Sequence, residues 1–169
     1  MNKTILLADD DASVRHMLGR VLNAEQYAVI PARTGREAAN AFLSRAPDLV
    51  LLDLNLPEKD GWEAFHFMRQ LNPWSPIIII TGTPNQFTHA LRMAANALME
   101  KPLNLPVLLD EIRTLLGETD SERMHRLTRP DFKTTLLHTA QPLKEPLDEH
   151  KEQDPTRHDH SRKTSIARG

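Results

Sequence analysis

Short unbroken runs of apolar residues recur along the first two thirds of the chain. Runs without alternating polar positions are typical of strands buried on both faces, as in a parallel sheet that helices cover. The runs are residues 5–8, 27–30, 49–52, 77–80 and the weaker 97–99. The pattern therefore predicts five strands of this buried kind.

Residues that favour helix starts lie between these runs. Asp11 can cap a helix that extends to Leu22, and Thr34 with Glu37 fits a capping box. Three further predicted helices begin in the same way: Asp60 with Glu63, Thr83 with Pro84 at the first helical position, and Asn104, whose helix Gly117 closes.

Predicted strands and helices alternate five times along residues 1–118. Since right-handed crossovers place helices on both sides of one parallel sheet, this order predicts an α/β, doubly wound, five-stranded parallel sheet flanked by five helices. We expect the strand order 2-1-3-4-5, which is one of the common orders of such sheets. Residues 1–118 form the first domain, and residues 119–169 form a C-terminal extension.

The hydrophobic pattern fades after Gly117. Within residues 118–140 no single structure is favoured, although residues 124–127 and 136–137 could form short helical turns. From Gln141 onward the chain is rich in proline, charge and histidine, with almost no large apolar residues. Such a segment cannot bury enough surface to offset its ordering entropy. We therefore predict a largely disordered extension with no recognisable output domain.

Composition restricts the classes of function. The net charge is −2 at pH 7 with both signs plentiful, so the chain has no general attraction for nucleic acid or anionic membranes. The absence of cysteine excludes disulfides and thiolate metal sites. The first apolar run is too short for a signal peptide, and no apolar stretch approaches the roughly 20 residues of a membrane span. We expect a cytoplasmic protein that does not bind DNA directly.

Polar side chains follow the predicted strands where each strand ends. In a doubly wound sheet the carboxyl ends of the strands lie at one edge, where function collects. Crowded carboxylates repel each other unless a cation compensates, and Mg²⁺ prefers a few carboxylates together with water and phosphate oxygens. The residues at these strand ends are Asp9, Asp10 and Asp11, then Asp53, then Thr81, then Lys101. We expect Asp9, Asp10 and Asp53 to bind Mg²⁺, while Thr81 and Lys101 bind an anion, as in a phosphoryl-transfer site.

These motifs resemble the receiver domain of two-component response regulators, the CheY-like family with a flavodoxin-like fold. The resemblance covers about residues 3–117, in the right order and spacing. The motifs are Ile5 to Asp11, Leu49 to Pro57 with Asp60-Gly61, Ile78 to Gly82, and Lys101-Pro102. Together they are far more specific than any one of them alone.

The resemblance implies a role for each matching residue. Asp53 matches the phosphoacceptor, which takes its phosphoryl group from a sensor histidine kinase or a histidine phosphotransfer protein. Thr81 and Lys101 match the hydroxyl and the cation that bind that group. The Mg²⁺ ligands are matched by Asp9, Asp10, Asp53 and the backbone carbonyl of Asn55. The peptide bond between Lys101 and Pro102 resembles one that is cis in the family.

One position departs from the family pattern. Members usually carry Tyr or Phe three residues before the lysine, and here that residue is Leu98. Leucine can fill the space but has no hydroxyl and less surface. We predict that phosphorylation survives, while the conformational response on the usual α4-β5-α5 face is weaker or different.

Other functions compete with this one. Aspartate-nucleophile phosphatases share a related fold but carry Asp-x-Asp, and here the second position is Asn55, which cannot act as a general acid. A receiver used only as an interaction scaffold is the other alternative. Arg123, Arg126 and Arg129 could contact nucleic acid, although acidic neighbours dilute their charge. We favour a signalling switch that catalyses only its own phosphorylation and dephosphorylation, passing its state to a downstream protein.

Overall fold

Each of the five apolar runs forms a strand in the computed structural model. The structure describes residues 2–58, 60–129 and 131–138. All pairs of neighbouring strands are parallel, and their order is β2-β1-β3-β4-β5-β6. The predicted order is therefore confirmed, with one further strand beside β5. The strands are β1 (Thr4–Ala8), β2 (Ala28–Ala32), β3 (Leu49–Asp53), β4 (Ile77–Thr81), β5 (Ala97–Glu100) and β6 (Thr135–Leu137).

Side-chain caps begin four of the helices at the predicted residues. The oxygen atoms of Asp11, Thr34, Asp60 and Asn104 accept hydrogen bonds from backbone N–H groups in the first turn. These bonds satisfy donors that have no partner within the helix. The helices are α1 (Ala12–Ala24), α2 (Gly35–Arg45), α3 (Gly61–Leu71), α4 (Phe87–Arg92), α5 (Leu105–Gly117) and α6 (Asp120–Thr128).

The predicted start of α4 at Thr83 and Pro84 is wrong. The helix begins at Phe87, after Gln86, which makes no side-chain cap. Asn85 has a φ of 63°, in the left-handed region, so a right-handed helix cannot run through it. The hydroxyl of Thr83 instead donates a hydrogen bond to the side chain of Asn55. Residues 82–86 thus form a loop that reaches the β3–α3 connection.

Two apolar clusters cover the two faces of the sheet. Every residue of β3 and β4 is buried, as their unbroken apolar runs predict. In β2, by contrast, Ala28 and Pro31 are exposed and Val29 and Ile30 are half-buried. The prediction of burial on both faces is wrong for this strand, because β2 is the outermost strand on its side.

The C-terminal extension contributes one helix and one strand to the described structure. Helix α6 begins with a complete capping box between Thr119 and Glu122. Leu136 and Leu137 lie in strand β6 and do not form the helical turn that their sequence suggested. The reason is that β5 offers an open sheet edge with which this segment pairs. The disorder predicted for residues 141–169 falls outside the described residues.

Within the described ranges, no helix combines the length and the apolar character that a membrane crossing requires.

Candidate functional site

The carboxyl ends of four parallel strands bring the predicted site residues to one edge of the sheet. Asp9 follows β1, Asp53 ends β3, Thr81 ends β4 and Lys101 follows β5. The side chains of the first three are withdrawn from solvent, with residue exposures of 0%, 1% and 0%. Asp10 is exposed at the rim. The structure therefore assembles a polar site at this edge, with two carboxylates buried and one at the surface.

Lys101 joins the two buried carboxylates. Its Nζ atom lies 2.8 Å from Asp9 Oδ2 and 2.6 Å from Asp53 Oδ2, although 92 and 48 residues separate these groups in sequence. The lysine side chain is 24% exposed, so one of its ends reaches solvent. Charge-assisted hydrogen bonds of this kind are stronger than neutral ones and fix the positions of both partners.

Backbone amides hold the second oxygen of each buried carboxylate. The amide of Asp11 donates to Asp9 Oδ1 at 2.9 Å, and the amide of Asn55 donates to Asp53 Oδ1 at 2.9 Å. Each carboxylate is thus oriented on one side by the loop that follows it and on the other by Lys101. Asp11 uses its own side chain to cap α1, as predicted.

Burial and pairing act in opposite directions on the charges of the site. Burial raises the pKa of the Asp9 carboxyl above its ordinary value, although hydrogen bonds from Lys101 and Asp11 lower it. Burial also opposes the charge of the Lys101 ammonium, but its hydrogen bonds to Asp53 and Asp9 outweigh burial and raise its pKa. Lys101 therefore stays charged. At Asp9, by contrast, the hydrogen bonds do not fully offset the cost of burying a negative charge.

Three carboxylates face a single ammonium group in this site. One oxygen each from Asp9, Asp10 and Asp53 can be chosen so that all three lie within 4.8 Å of one another. Hard oxygen ligands at this spacing, near the protein surface, suit a divalent cation such as Mg²⁺, which keeps several waters and prefers carboxylates. The residues present therefore fit the metal that the sequence predicted.

A hydrogen-bonded connection between two loops of the site was missed by sequence reasoning. The Thr83 hydroxyl donates to Asn55 Oδ1 at 2.9 Å, and the amide of Thr83 donates to Thr81 Oγ1 at 3.0 Å. Asn55 was considered only for its backbone carbonyl. The sequence did carry a signal for this connection. Asn55 lies two residues after Asp53 and Thr83 lies two residues after Thr81, and both Asp53 and Thr81 end strands. This connection holds the β3–α3 and β4–α4 loops together beside the phosphoacceptor candidate.

Gly61 permits a close approach between α3 and the loop after β3. A Cβ atom at this position would lie 2.5 Å from the carbonyl oxygen of Asp53 and closer still to Leu54 Cα. Only glycine fits this contact without a shift of the helix start. The small residue of the Asp60-Gly61 motif thus supports the backbone position of Asp53.

Leu98 lies fully buried in β5, in the apolar cluster that contains Ala90 and Ala95. Leu136 of β6 packs against the same cluster. The site contains no aromatic ring at position 98, and the weaker or altered response expected from this substitution stays a prediction. The bond between Lys101 and Pro102 is cis, as the sequence suggested.

Three arginines in the described part of the extension lie close to acidic groups of the same chain. Arg126 pairs with Glu118 and Arg129 pairs with Asp131, while Arg123 lies near Glu118 with only 14% of its side chain exposed. These acidic partners neutralise most of the positive charge of the three arginines. The sequence prediction that acidic neighbours dilute this charge agrees with these contacts.

Comparisons with known proteins match the part of the chain that forms strands β1 to β5. The sequence-family model of the response regulator receiver domain matches residues 5–113 of this chain. The response regulator MprA of Mycolicibacterium vanbaalenii is 36% identical over 117 residues, which are 68% of this chain and 51% of the relative. The chain thus spans about half the length of the curated relatives that it matches.

Solved structures resemble the same part of the chain. A CheY-like receiver domain protein from Methanospirillum hungatei superposes with a TM-score of 0.68 at 30% identity, covering 72% of this chain and 99% of that one. The response regulator TrrA from Thermotoga maritima, solved in complex with Mg²⁺ and BeF, gives 0.63 at 30% identity and covers 67% and 98%. These likenesses cover 72% and 67% of this chain and nearly the whole of the two receiver structures.

Proposed function

Because the chain belongs to the family of response regulator receiver domains, which act in two-component signalling, we propose that Asp53 accepts a phosphoryl group. The donor is a sensor histidine kinase or a histidine phosphotransfer protein. The observation that carries this proposal is the shared contact of Lys101 with Asp9 and Asp53 at the carboxyl edge of the sheet. A buried aspartate beside a charged lysine and an exposed acidic rim is suited to phosphoryl transfer, which depends on alignment and charge neutralisation.

The transfer is a displacement at phosphorus. A carboxylate oxygen of Asp53 forms the new O–P bond, the P–N bond of the donor phosphohistidine breaks, and its electron pair stays on the imidazole. Lys101 pairs with the oxygens of the transferred group. The Thr81 hydroxyl accepts from the Thr83 amide, so its own hydrogen is available for a phosphoryl oxygen. Attack of water on phosphorus later returns the Asp53 carboxylate and releases inorganic phosphate.

Asp9, Asp10, Asp53 and the backbone carbonyl of Asn55 would hold Mg²⁺. When bound, the metal supplies positive charge that neutralises the carboxylates and the phosphoryl oxygens. Two observations support this assignment: the convergence of the three carboxylates, and the binding of Mg²⁺ and BeF stated for the relative from Thermotoga maritima.

The phosphatase alternative lacks a residue that it needs. The second residue after Asp53 is Asn55, whose side chain accepts a hydrogen bond from Thr83 and cannot donate an acidic proton. The scaffold alternative requires no charged site, yet the five polar groups that the family uses are all present at one edge. We therefore regard the chain as a signalling switch that catalyses only its own phosphorylation and dephosphorylation.

The receiver domain comprises residues 1–118 in this proposal, and the extension of residues 119–169 carries no output domain of its own. Phosphorylation then changes the contacts of the receiver with a downstream protein and does not act through direct DNA binding. The pairing of Arg126 with Glu118 and of Arg129 with Asp131, in the described part of the extension, supports this last point.

Intact-mass measurement after incubation with acetyl phosphate and Mg²⁺ tests the proposal. We expect the full chain to gain one phosphoryl group, and the Asp53→Asn variant to gain none. Asp110→Asn, which removes an exposed carboxylate on α5, serves as the matched control and should be labelled like the unchanged protein. Lack of labelling under conditions that phosphorylate another receiver, or labelling that persists in Asp53→Asn, would overturn the proposal.

A further inference from the structure

Strand β6 occupies one edge of the sheet, beside β5, whose last residue precedes Lys101 of the candidate site. It has only three residues, and it pairs in parallel with β5 through Ala97–Thr135, Leu98–Leu136 and Met99–Leu137. An unpaired strand edge presents free backbone groups that can accept another strand. The extension of this chain therefore covers an edge that would otherwise be open for pairing.

Anchors on both sides of β5 hold β6 in place. The hydroxyl of Thr134, which is 4% exposed, donates its one hydrogen to the carbonyl oxygen of Ala95 at 2.8 Å, and the carbonyl oxygen of Ala90 at 3.3 Å is a second, more distant acceptor. Leu136 packs against the apolar cluster on one face of the sheet, and Leu137 belongs to the cluster on the other. These few contacts are specific but involve a very short strand, so β6 can open without unfolding the domain.

One row of paired residues crosses the sheet from the phosphoacceptor candidate to β6. Asp53 is paired with Ile80, Ile80 with Met99, and Met99 with Leu137. The last of these is the end pair of the contact between β5 and β6. A shift of β5 along or away from β4 would move the strand edge with which β6 pairs.

The end of β5 is tied directly to the site. The amide of Lys101 donates to the carbonyl oxygen of Thr81 at 2.8 Å, while its Nζ atom binds Asp53 Oδ2. A phosphoryl group on Asp53 would replace this contact with bonds to phosphoryl oxygens farther from the strand. The position of Lys101, and with it the end of β5, therefore differs between the two states.

Building on the proposed function, we propose that β6 is a detachable edge strand regulated by the state of Asp53. In the unphosphorylated protein β6 covers the β5 edge. Phosphorylation of Asp53 shifts β5, weakens the pairing of residues 135–137 and exposes that edge. Leu98, which has no aromatic side chain to rotate, transmits the change by its direct contact with β6 on one side and with β4 on the other.

Hydrogen exchange in the full chain, with and without acetyl phosphate and Mg²⁺, measures this release. We expect the amide of Thr135, which donates to the carbonyl oxygen of Asn96, and the amide of Leu137, two residues along the strand, to exchange at least about threefold faster when Asp53 is phosphorylated, as for a local opening. Strand β2, at the other edge of the sheet, is the internal control and should not change. Asp53→Asn should show no change at either edge.

The reverse coupling provides a second, independent measurement. Since coupling between two sites is reciprocal, loosening β6 must favour phosphorylation of Asp53. Thr134→Val keeps the side-chain shape but removes the buried hydroxyl donor, and it should raise β6 exchange about fivefold and increase the phosphorylated fraction at steady state. Thr135→Val makes the same change at an exposed neighbouring position and should do neither. Leu137→Ala replaces Thr134→Val if circular dichroism shows that the latter is unfolded.

The outcomes separate this inference from the proposed function. If intact mass shows phosphorylation but the exchange of the amides of residues 135 and 137 is unchanged or slower, the inference is overturned and the proposed function stands. If Thr134→Val or Leu137→Ala loosens β6 without raising the phosphorylated fraction, the coupling is likewise excluded. Absence of any phosphoryl gain would overturn both.

Discussion

Two buried negative charges share one positive charge at the centre of the site. Asp9 and Asp53 both bind Lys101, and Asp10 adds a third carboxylate at the rim. A buried ion pair is stable only while both partners are present, and an uncompensated carboxylate lowers stability. The site therefore carries an excess of negative charge, which a bound divalent cation relieves.

The titration of Asp9 should be visible in the stability of the metal-free protein. Because the pKa of Asp9 is raised, the folded chain binds this proton more tightly than the unfolded chain, whose aspartates titrate near 3.8. The free energy of unfolding should therefore fall as the pH rises above that value, and level off above the folded-state pKa.

Urea denaturation in a chelating buffer, compared with Asp9→Asn, isolates this contribution. The difference in unfolding free energy, unchanged protein minus variant, should decrease as the pH rises from below 3.8 toward neutrality. The corresponding difference for Asp110→Asn should not show this decrease. A difference for Asp9→Asn that is flat or grows with pH would show that burial does not dominate at this residue.

At the level of helices and strands, a few local contacts determine where each element begins. Only some of these contacts can be predicted from the sequence. The caps at Asp11, Thr34, Asp60 and Asn104 are readable from residue type, and all four are confirmed. The start of α4 was not readable, because the left-handed backbone of Asn85 and the contact between Thr83 and Asn55 depend on a neighbouring loop. Local capping signals are reliable only where no long-range contact competes with them.

Gly61 offers a test at the level of an element. In Gly61→Ala the added Cβ would collide with the backbone of Leu54 and Asp53, so the start of α3 must move. We expect a loss of about 2 kcal/mol in the free energy of unfolding, as for other overpacked sites.

Gly19→Ala is the matched control for this change. Gly19 lies within α1, and a Cβ there would meet nothing within 4 Å. Alanine should stabilise the helix by about 0.5–1 kcal/mol. Equal effects of the two substitutions in urea denaturation would contradict the steric account of Gly61.

At the scale of the whole molecule, the sequence pattern predicted the central strands of the sheet better than its two edge strands, β2 and β6. The parallel order of five strands and the convergence of Asp9, Asp53, Thr81 and Lys101 follow from unbroken apolar runs and polar strand ends. Strand β6 did not follow, because a three-residue segment has no periodicity, and its pairing depends on the free edge of β5. The exposure of β2 likewise depends on its place at the other edge, which its apolar sequence does not encode.

Calorimetric titration of Mg²⁺ into the metal-free full chain tests the central claim most directly, because it measures whether these carboxylates form one cation site. We predict a single saturable site at neutral pH, weakened at least about tenfold in Asp10→Asn and unchanged in Asp110→Asn. Asp10 is exposed, so its replacement should not disturb the core. No saturable binding, or equal affinity in the unchanged chain and Asp10→Asn, would contradict the account.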